Sequence, residues 1–266
     1  MLNKSIILAF GCSAFAFGCT GEGSEGDTQE IIDNLVQAGY PVSDTQVIDG
    51  KVFVGNDAEV SLQASREMLG GSTGDEQFRT FNLVGGPNPS AICVNGAAFA
   101  ANATLSQGFD LALGNYNALF NAGTSRLAFF RVNGGPVPGC NFFINGFVQA
   151  GLVGGFAGFP SGGAPFGQIT IGDGVVQFGL DVTEHVITHE LGHTIGFRHS
   201  DFFNRSISCG GAPINEENPP SGLGAVLIAG TPNGSAVGLS LMNSCFRATE
   251  NGELTPTDVI AVNTLY

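Results

Sequence analysis

The sequence predicts an α+β domain in which one mixed sheet packs against two main helices. Strand-like stretches alternate with two longer amphipathic segments, an order typical of a mixed fold. The 266 residues suffice for one sizeable domain and a small accessory segment. Hydrophobic residues make up 43% of the chain and the mean hydropathy is +0.21, so a buried core can form.

The N-terminus has the pattern of an export signal. An apolar run over residues 6–17 is too short for a transmembrane helix, which predicts a signal peptide over residues 1–18. Residues 19–30 are polar and acidic and resemble the tether of a bacterial lipoprotein, with Cys19 as the candidate lipidation site. Ala16 stands where such sites usually have Leu, so lipidation and simple secretion both stay open. We expect an exported protein, secreted or held at the bacterial outer membrane, whose membrane contact is at most a lipid anchor.

Residues 31–77 are predicted to form a small N-terminal segment. Apolar side chains share one face of residues 31–41, and a glycine and a proline end the stretch, which predicts a short helix. Alternation around an Asp-Gly pair predicts a hairpin over residues 45–62. The Gly, Ser and acidic residues at 70–77 mark a boundary, so the main domain is expected to span residues 78–266.

The main domain alternates strands and helices. Phe109, Leu113 and Tyr116 recur at three- and four-residue spacing, which predicts a helix over residues 108–123. A last helix is expected after Thr255, which can cap it together with Asp258. Strands are predicted at 79–84, 91–94, 126–132, 141–148 and 167–172.

The charge of the chain excludes some classes of partner. Acidic residues outnumber basic ones by 23 to 9, and the formal net charge is −14. Such a chain offers no basic face to neutralise phosphates, so we expect neither nucleic-acid binding nor adhesion to an anionic membrane.

Export also bears on the cysteines. With the signal removed and Cys19 set aside, Cys93, Cys140, Cys209 and Cys245 remain. An even number of cysteines in an oxidising compartment predicts two disulfides, for which three pairings exist. We favour Cys93–Cys140 and Cys209–Cys245, because each bridge then stays within one half of the chain.

Residues 181–196 are predicted to form a helix that carries three of the four histidines. Asp181 can cap its start, with Glu184 three residues later in capping-box spacing. Gly196 suits the left-handed position that ends a helix. The same glycine would reverse the chain and bring the following residues back toward the helix.

This helix predicts a metal site. His189 and His193 are four residues apart, so one turn separates them on the same face, and both can reach one ion. His199 can return as a third ligand after the turn at Gly196. Three nitrogen ligands leave one tetrahedral position open, which is typical of a catalytic rather than a structural zinc ion. Glu190 edges the same face without competing for the metal.

The alternative is that these histidines are ordinary polar residues of a helix. At the histidine frequency of this chain the whole pattern would arise by chance in roughly one chain in a hundred thousand, which favours the metal site. His185 lies one turn before His189, but three ligands are already supplied. We therefore interpret His185 as a neighbour of the site, with a role near the metal or the substrate as the alternative.

Three stretches carry a family resemblance. THELGHTIGFRHSD (188–201) matches the extended zinc signature of the metzincins. It more closely resembles that of the bacterial dual-action HEIGH metallopeptidases, with Leu191 in place of the usual Ile. GFAGFPSGGAPFGQITI (155–171) is similar to the family's segment before the active-site helix, and SLMNSC (240–245) to its Met-turn. The resemblance implies a zincin-like domain with a mixed twisted sheet, an active-site helix, a Met-turn and a C-terminal helix.

The resemblance also implies an activity. One catalytic Zn²⁺ would be held by the three histidines, Glu190 would be the general base, and Met242 would lie beneath the metal as structural support. The substrate would be a protein or a peptide, bound in extended form along the strand at 167–172. The alternative is an exported protein without enzymatic activity in which zinc only stabilises a binding module.

A second resemblance concerns FVGND (53–57). With one extra residue it resembles the stretch by which astacin-type propeptides place an aspartate on the zinc. Asp57 is therefore a candidate latency residue, residues 31–77 a candidate propeptide and residues 70–77 a candidate cleavage region. The alternative is that the stretch is only a hairpin turn.

Overall fold

The computed structural model describes residues 25–69, 78–216, 225–232 and 234–266. In these residues the α+β prediction is confirmed, with one large mixed sheet, a two-stranded sheet and several helices. The predicted signal peptide, Cys19 and the predicted cleavage region lie outside the described residues. No helix within the described ranges is both long and apolar enough to cross a membrane.

Most strands join one large sheet. The strands are β1 (Gln46–Ile48), β2 (Lys51–Val54), β3 (Ala58–Val60), β4 (Phe78–Arg79), β5 (Ser90–Asn95), β6 (Leu127–Val132), β7 (Phe142–Gln149), β8 (Gly155–Gly158), β9 (Gln168–Gly172) and β10 (Val226–Leu227). The large sheet has the order β1-β2-β3-β8-β9-β7-β5-β6, and β4 pairs with β10. β9, β7, β5 and β6 run parallel, whereas β8 is antiparallel to β9. β3 pairs with β8 in parallel and so joins the N-terminal strands to the sheet.

Two long helices cover the sheet. The helices are α1 (Glu25–Gln37), α2 (Leu62–Met68), α3 (Ala103–Asn121), α4 (Leu180–Thr194), α5 (Ser206–Cys209) and α6 (Pro256–Leu265). α3 and α4 pack closely, because a Cβ on Gly108 would lie only 2.9 Å from Thr183 Cγ2. Between them and the sheet lies the main apolar core, which includes Phe109, Phe129, Ile144, Ile169, Ile187 and Leu191.

The N-terminal segment has a small apolar core of its own. This core joins α1, α2 and strands β2 and β3, with buried side chains such as Leu35, Val52 and Met68. Phe159, from the main part of the chain, packs into the same cluster and is 2% exposed. The segment is therefore a folded layer against the main part, and Phe159 is a point of contact between them.

Helix ends follow local sequence in α6 but not in α4. The capping box of Thr255 and Asp258 at the start of α6 is confirmed. The predicted Asp181 cap is wrong, because the residue before α4 is Gly179 and no side chain caps the helix. Glu184 lies buried against α3 rather than at the helix end. α1 begins at Glu25, six residues earlier than predicted, with Glu25 and Asp27 in its first turn, where acidic side chains are favourable.

Two strand predictions need correction. Of the strand predicted at 79–84 only Arg79 pairs, within the short β4, because the partner strand β10 is itself two residues long. β8 was not expected, because its Gly-rich sequence lacks the β-branched residues typical of strands. The strand at 167–172, predicted to border the substrate, is paired on both sides as β9. β8 therefore lies nearer the edge of the main part of the sheet.

Two disulfides are present, in the pairing that the sequence favours. Cys93–Cys140 ties β5 to the segment before β7. Cys209–Cys245 ties α5 to the segment around Met242. Each bridge closes a loop of a few tens of residues, and disulfides of that kind stabilise by about 3–4 kcal/mol.

Candidate metal centre

α4 orients two imidazole rings by backbone hydrogen bonds. His189 Nδ1 donates to the carbonyl oxygen of Leu241 over 3.0 Å, and His193 Nδ1 donates to that of Phe197 over 2.8 Å. A carbonyl oxygen can only accept, so each Nδ1 carries the proton and each Nε2 keeps its lone pair. Both Nε2 atoms are thus prepared to bind a cation.

A glycine turn brings the third imidazole back. Gly196 follows α4 with a φ of 107°, which favours glycine, and its NH donates to the carbonyl of His193 over 2.9 Å. A Cβ at Gly196 would also lie 2.8 Å from the Asn82 carbonyl oxygen. The reversed chain places His199 beside the first two histidines, with ring centroids 5.2 Å from His189 and 5.0 Å from His193.

The converging donors fit a metal ion. One potential ligand atom from each of the three histidines and from Asp57 lies within 4.8 Å of the others. His193 Nε2 is buried, yet it has no hydrogen-bond partner among the described residues. A buried polar atom without a partner is costly, and a bound cation would satisfy it. Imidazole nitrogens with a carboxylate oxygen are the ligand types that zinc takes in proteins.

Asp57 lies at the centre of this cluster. Its Oδ2 accepts from His199 Nε2 over 3.0 Å and lies 3.7 Å from His189 Nε2, while Oδ1 lies 3.6 Å from His193 Nε2. Burial alone would raise the pKa of Asp57, but the three histidines outweigh it and hold the pKa well below its usual value. Asp57 is the last residue of the turn between β2 and β3, so this hairpin turn also reaches the histidines.

A buried ion pair anchors the loop that carries Asp57. The NH of Gly55 donates to Asp44 Oδ2 over 3.1 Å, and Arg205 Nη1 donates to Asp44 Oδ1 over 3.2 Å. Asp44 and Arg205 are both buried. The ion pair therefore joins the N-terminal segment to the main part of the chain next to the loop that carries Asp57.

Glu216 orients the third histidine, and no sequence pattern pointed to it. His199 Nδ1 donates to Glu216 Oε1 over 2.7 Å. Arg198 Nη2 lies 3.6 Å from Glu216 Oε2, and Arg205 Nε lies 3.2 Å from Oε1. Burial alone would raise the pKa of Glu216, but the charges of His199 and the two arginines hold it below its usual value. His199 is thus the one histidine of the three whose Nδ1 faces a carboxylate rather than a carbonyl.

Glu190 lies beside the histidines on the cleft side of α4. Its Oε2 is buried and has no hydrogen-bond partner in the part of the chain that the structure describes. Burial and the negative charge of Asp57 raise the pKa of Glu190 well above its usual value. A Cβ on Gly155 would lie 2.8 Å from Glu190 Oε1, so the backbone of β8 approaches this carboxylate closely.

Met242 packs against α4 at Gly192. A Cβ on Gly192 would lie 2.7 Å from Met242 Sδ, so the glycine makes room for the methionine. The carbonyl of Met242 accepts from the NH of Ser200 over 2.8 Å. Asp258 accepts from the NH of Leu241 over 2.9 Å and fixes the turn to α6.

Asp201 joins the segment after His199 to the turn of Met242. Its carboxylate is fully buried. It accepts from the NH and hydroxyl of Ser208 and from the NH and hydroxyl of Ser244, over 2.6–3.2 Å. The Cys209–Cys245 disulfide links the residues that follow these two serines. The two segments that support the histidines are therefore held together both covalently and by hydrogen bonds.

A cleft of about 340 Å³ opens beside the histidines. His189 and Glu190 line it, and Asp57 contributes from the N-terminal segment. The ring of His185 also faces it and stacks on His189 with centroids 6.4 Å apart. Burial, and then His189, lower the pKa of His185 to about 4, so this ring is neutral near pH 7. The fourth histidine therefore lies in the cleft but outside the ligand cluster.

The family model of the dual-action HEIGH metallo-peptidases matches residues 52–266. The match takes in Asp57 as well as the three histidines. Among solved structures, "Structure of myroilysin" is 14% identical in sequence. The match spans 94% of that chain and 68% of this chain, with a TM-score of 0.39. "Crystal structure of myroilysin" is 15% identical in sequence. That match spans 85% of the solved chain and 68% of this chain, with a TM-score of 0.36. No curated protein matches the chain.

Proposed function

Because this chain belongs to the dual-action HEIGH metallopeptidases, we propose that it is an exported zinc endopeptidase which Asp57 keeps inactive until the N-terminal segment is displaced. The observation that carries the proposal is the convergence of three imidazole nitrogens beside the Glu190 carboxylate, at the wall of a cleft. A binding module stabilised by zinc would not need that free carboxylate beside its ligands.

In this proposal His189, His193 and His199 hold the zinc. The protonated Nδ1 atoms fix all three rings with Nε2 toward the same point. Zinc bound there would lower the pKa of a water molecule to about 7 and polarise the carbonyl of the peptide bond to be cleaved. Gly196 and Met242 support the site without binding the metal.

Glu190 is the general base of the proposal. Its Oε2 has no partner among the described residues and the side chain faces the cleft, so it can receive the proton of the attacking water. The same carboxyl group then delivers that proton to the leaving amine. The close approach of Gly155 keeps the Glu190 side chain against β8.

The N-terminal segment occupies two places that a substrate would need. Asp57 lies among the histidines, and β3 pairs with β8, so that the NH of Ala157 donates to the Asp57 carbonyl over 2.9 Å. If residues 31–77 are a propeptide, its removal would free the outer edge of β8. An extended peptide could then bind there by adding a strand.

Export rests on the sequence of residues 1–18 and on the disulfides. Two disulfides suit a protein that works in an oxidising compartment. Lipidation at Cys19 and simple secretion both remain part of the proposal. Labelling with a radioactive fatty acid in the native host distinguishes them, because only a lipidated chain would take up label and lose it in Cys19→Ser.

The catalytic proposal is tested with Glu190→Ala. The full chain is folded, cut within residues 70–77 and assayed on casein or a peptide library. We expect the wild type to cleave, to stop with a chelator and to recover with zinc. Glu190→Ala should bind zinc as the wild type does and lose at least about 100-fold in rate, since a general base contributes 10²–10⁴-fold.

The matched control is Asp181→Ala, which removes an exposed acidic side chain from the same helix. This variant should keep the wild-type rate. A Glu190→Ala chain that cleaves at the wild-type rate would contradict the mechanism. A wild type that cleaves nothing after the cut, with zinc bound, would contradict the proposed function itself.

A further inference from the structure

One arginine faces the cleft beside the histidines and binds side chains of the N-terminal segment. Among the residues that line the cleft in the described part of the chain, Arg205 is the only lysine or arginine. Its Nη1 donates to Asp44 Oδ1 over 3.2 Å, and the amide oxygen of Asn56 accepts from the same atom over 3.0 Å. Both partners belong to the N-terminal segment. Departure of the segment would therefore remove two acceptors from the Arg205 guanidinium at the wall of the cleft.

The charges around Arg205 balance only while the segment is in place. Arg198 and Arg205 share the Glu216 carboxylate, at 3.6 and 3.2 Å. Asp44 supplies the second carboxylate, and all four side chains are buried. Arg198 Nη1 and Nη2 have no hydrogen-bond partner among the described residues, so Glu216 does not satisfy both arginines. Without Asp44 the two guanidinium groups share a single carboxylate, and an unbalanced buried charge is costly.

The main part of the chain holds Arg205 independently of the segment. The NH of Arg205 donates to the Ile214 carbonyl over 2.8 Å, and its carbonyl accepts from the NH of Cys209 over 2.9 Å. Cys209 is bonded to Cys245 in turn, and Glu216 Oε1 lies 3.2 Å from Arg205 Nε. All of these partners lie outside the N-terminal segment. The guanidinium is therefore already positioned for a new acceptor, which lowers the cost of binding one.

Arg205 also lies close to the place where a peptide bond would be cleaved. Glu216 Oε1, next to Arg205 Nε, accepts from His199 Nδ1 over 2.7 Å, so one carboxylate separates the guanidinium from the third histidine. On the side of the segment, Asn56 contacts Arg205 and directly precedes Asp57, which lies among the histidines. A peptide residue near the one at the metal position can therefore reach Arg205, as Asn56 does in the uncut chain.

We infer that Arg205 binds a carboxylate of the substrate, so that the enzyme prefers peptides with an acidic side chain close to the cleaved bond. The substrate carboxylate takes the place that Asp44 holds in the uncut chain and restores the charge balance with Glu216. Arginine suits this task, because its planar guanidinium can donate two parallel hydrogen bonds to one carboxylate. The inference rests on the proposed function and adds its substrate class. Arg205 is then a specificity residue that takes no part in the proton transfer.

Peptides that differ in one charge test the inference. The chain is cut as in the catalytic test, and chromatography shows whether the segment has left. The enzyme is assayed on peptide pairs that carry Glu or Gln at a single position, moved one residue at a time past the cleaved bond. We expect kcat/KM of the wild type to favour Glu about 10-fold or more at one position, since hydrogen bonds between charged groups are the strong ones.

Variants of Arg205 assign that preference to its side chain. Arg205→Gln should bring the Glu-to-Gln ratio to about 1, and Arg205→Lys, which keeps the charge but loses the planar fork, should give an intermediate ratio. Zinc content and Tm are measured for each variant. The matched control is Arg131→Gln, which removes an arginine paired with Asp110 on the distant strand β6 and should keep the wild-type ratio.

A binding measurement separates the two ways of failing. The affinity of a cut Glu190→Ala chain for the labelled Glu and Gln peptides is measured by fluorescence anisotropy, which needs no cleavage. A wild type that cleaves nothing contradicts the proposed function, whereas the anisotropy still reports on Arg205. Equal affinity for both peptides at every position overturns the inference about Arg205. So does a wild type that cleaves without favouring Glu, or a preference for Glu that persists in a zinc-loaded Arg205→Gln chain.

Discussion

At the scale of single residues, the three histidines differ in the group that accepts the hydrogen bond from Nδ1. His189 and His193 donate to backbone carbonyls, whereas His199 donates to the Glu216 carboxylate. A carboxylate acceptor makes an imidazole a stronger ligand, and removing such a partner typically costs 10–100-fold in metal affinity. Glu216 is therefore expected to tune the ligand that comes from outside α4.

We predict that Glu216→Gln weakens zinc binding by about 10- to 100-fold. The amide keeps the shape of the side chain but removes the charge that faces His199. The measurement is competition for zinc with a chromogenic chelator, on the full chain and without substrate. Glu30→Gln, at an exposed ion pair with Arg66, is the matched control and should keep wild-type affinity. A lower Tm with unchanged zinc affinity would show that Glu216 only balances the buried arginines.

Glu216 marks the limit of what local sequence can predict about the site. The HE-x-GH spacing fixes two histidines and the glutamate on one helix face, so their positions follow from the helical repeat. The partners of Glu216 are His199, Arg198 and Arg205, which meet it only because the chain folds back after α4. Nothing within residues 210–216 indicates burial. Asp57 was suggested by a resemblance, and its contact with the histidines depends on how a separate segment packs.

At the scale of elements, the contact of α3 with α4 contains a buried polar bridge. Asn115 Nδ2 donates to Glu184 Oε1 over 3.0 Å and to the Gly252 carbonyl over 2.9 Å. Burial, and then the charge of Glu253, raise the pKa of Glu184 to about 7 from 4.5. The folded chain thus binds a proton more tightly here than the unfolded chain does.

This shift predicts a pH dependence of stability. Because the pKa of Glu184 is higher in the folded state, its contribution to the free energy of unfolding is fully present below pH 4.5. This contribution is lost as the pH rises toward 7. Glu184→Gln should remove this loss, so its Tm should exceed that of the wild type at pH 8 and match it near pH 4. Thermal unfolding followed by circular dichroism measures both.

The control for this prediction is Asp110→Asn, which changes an exposed acidic residue on α3. Its Tm should follow the wild type at every pH. Equal slopes of Tm against pH in Glu184→Gln and the wild type would show that Glu184 ionises in the folded state as it does in the unfolded one.

Helices whose own residues carry a cap or an apolar repeat could be predicted from the sequence. Strands whose position depends on contacts with distant segments could not. α6 carries its own capping box, and α3 repeats apolar residues at helical spacing, so both were expected. β8 has two glycines in four residues, and its place is set by β9, β3 and Glu190. The start of α4 was mispredicted because Glu184 serves a contact with α3 rather than a cap.

At the scale of the whole molecule, the N-terminal segment and the main part meet at the candidate site. Phe159, the Asp44–Arg205 pair and the β3–β8 pairing all lie around the loop of Asp57. The segment thus covers the histidines with an apolar core, a buried ion pair and a strand. A segment attached in this way should detach more readily when any one of these contacts is lost.

We predict that Asp57→Asn raises the cleavage rate of the uncut full chain by about 10- to 100-fold, because a charge-assisted hydrogen bond contributes about 1.5–3 kcal/mol. Initial rates are measured while mass spectrometry shows that the chain is intact. Asp49→Asn, an exposed aspartate in the neighbouring hairpin turn, is the matched control and should stay inactive. Equal activity of wild type and Asp57→Asn before any cut would contradict latency through Asp57.

The packing of Arg198 has a spectroscopic consequence. Its guanidinium lies 4.6 Å from the ring centre of Tyr40, which is 1% exposed and belongs to the N-terminal segment. The chain contains no tryptophan and three tyrosines, and the other two, Tyr116 and Tyr266, are buried in the main part. Tyrosine emission therefore comes from three side chains, one of which lies on the boundary between the N-terminal segment and the main part. Departure of the segment would move Tyr40 from a cationic, dry surrounding into water, so the unlabelled chain carries its own optical reporter of that departure.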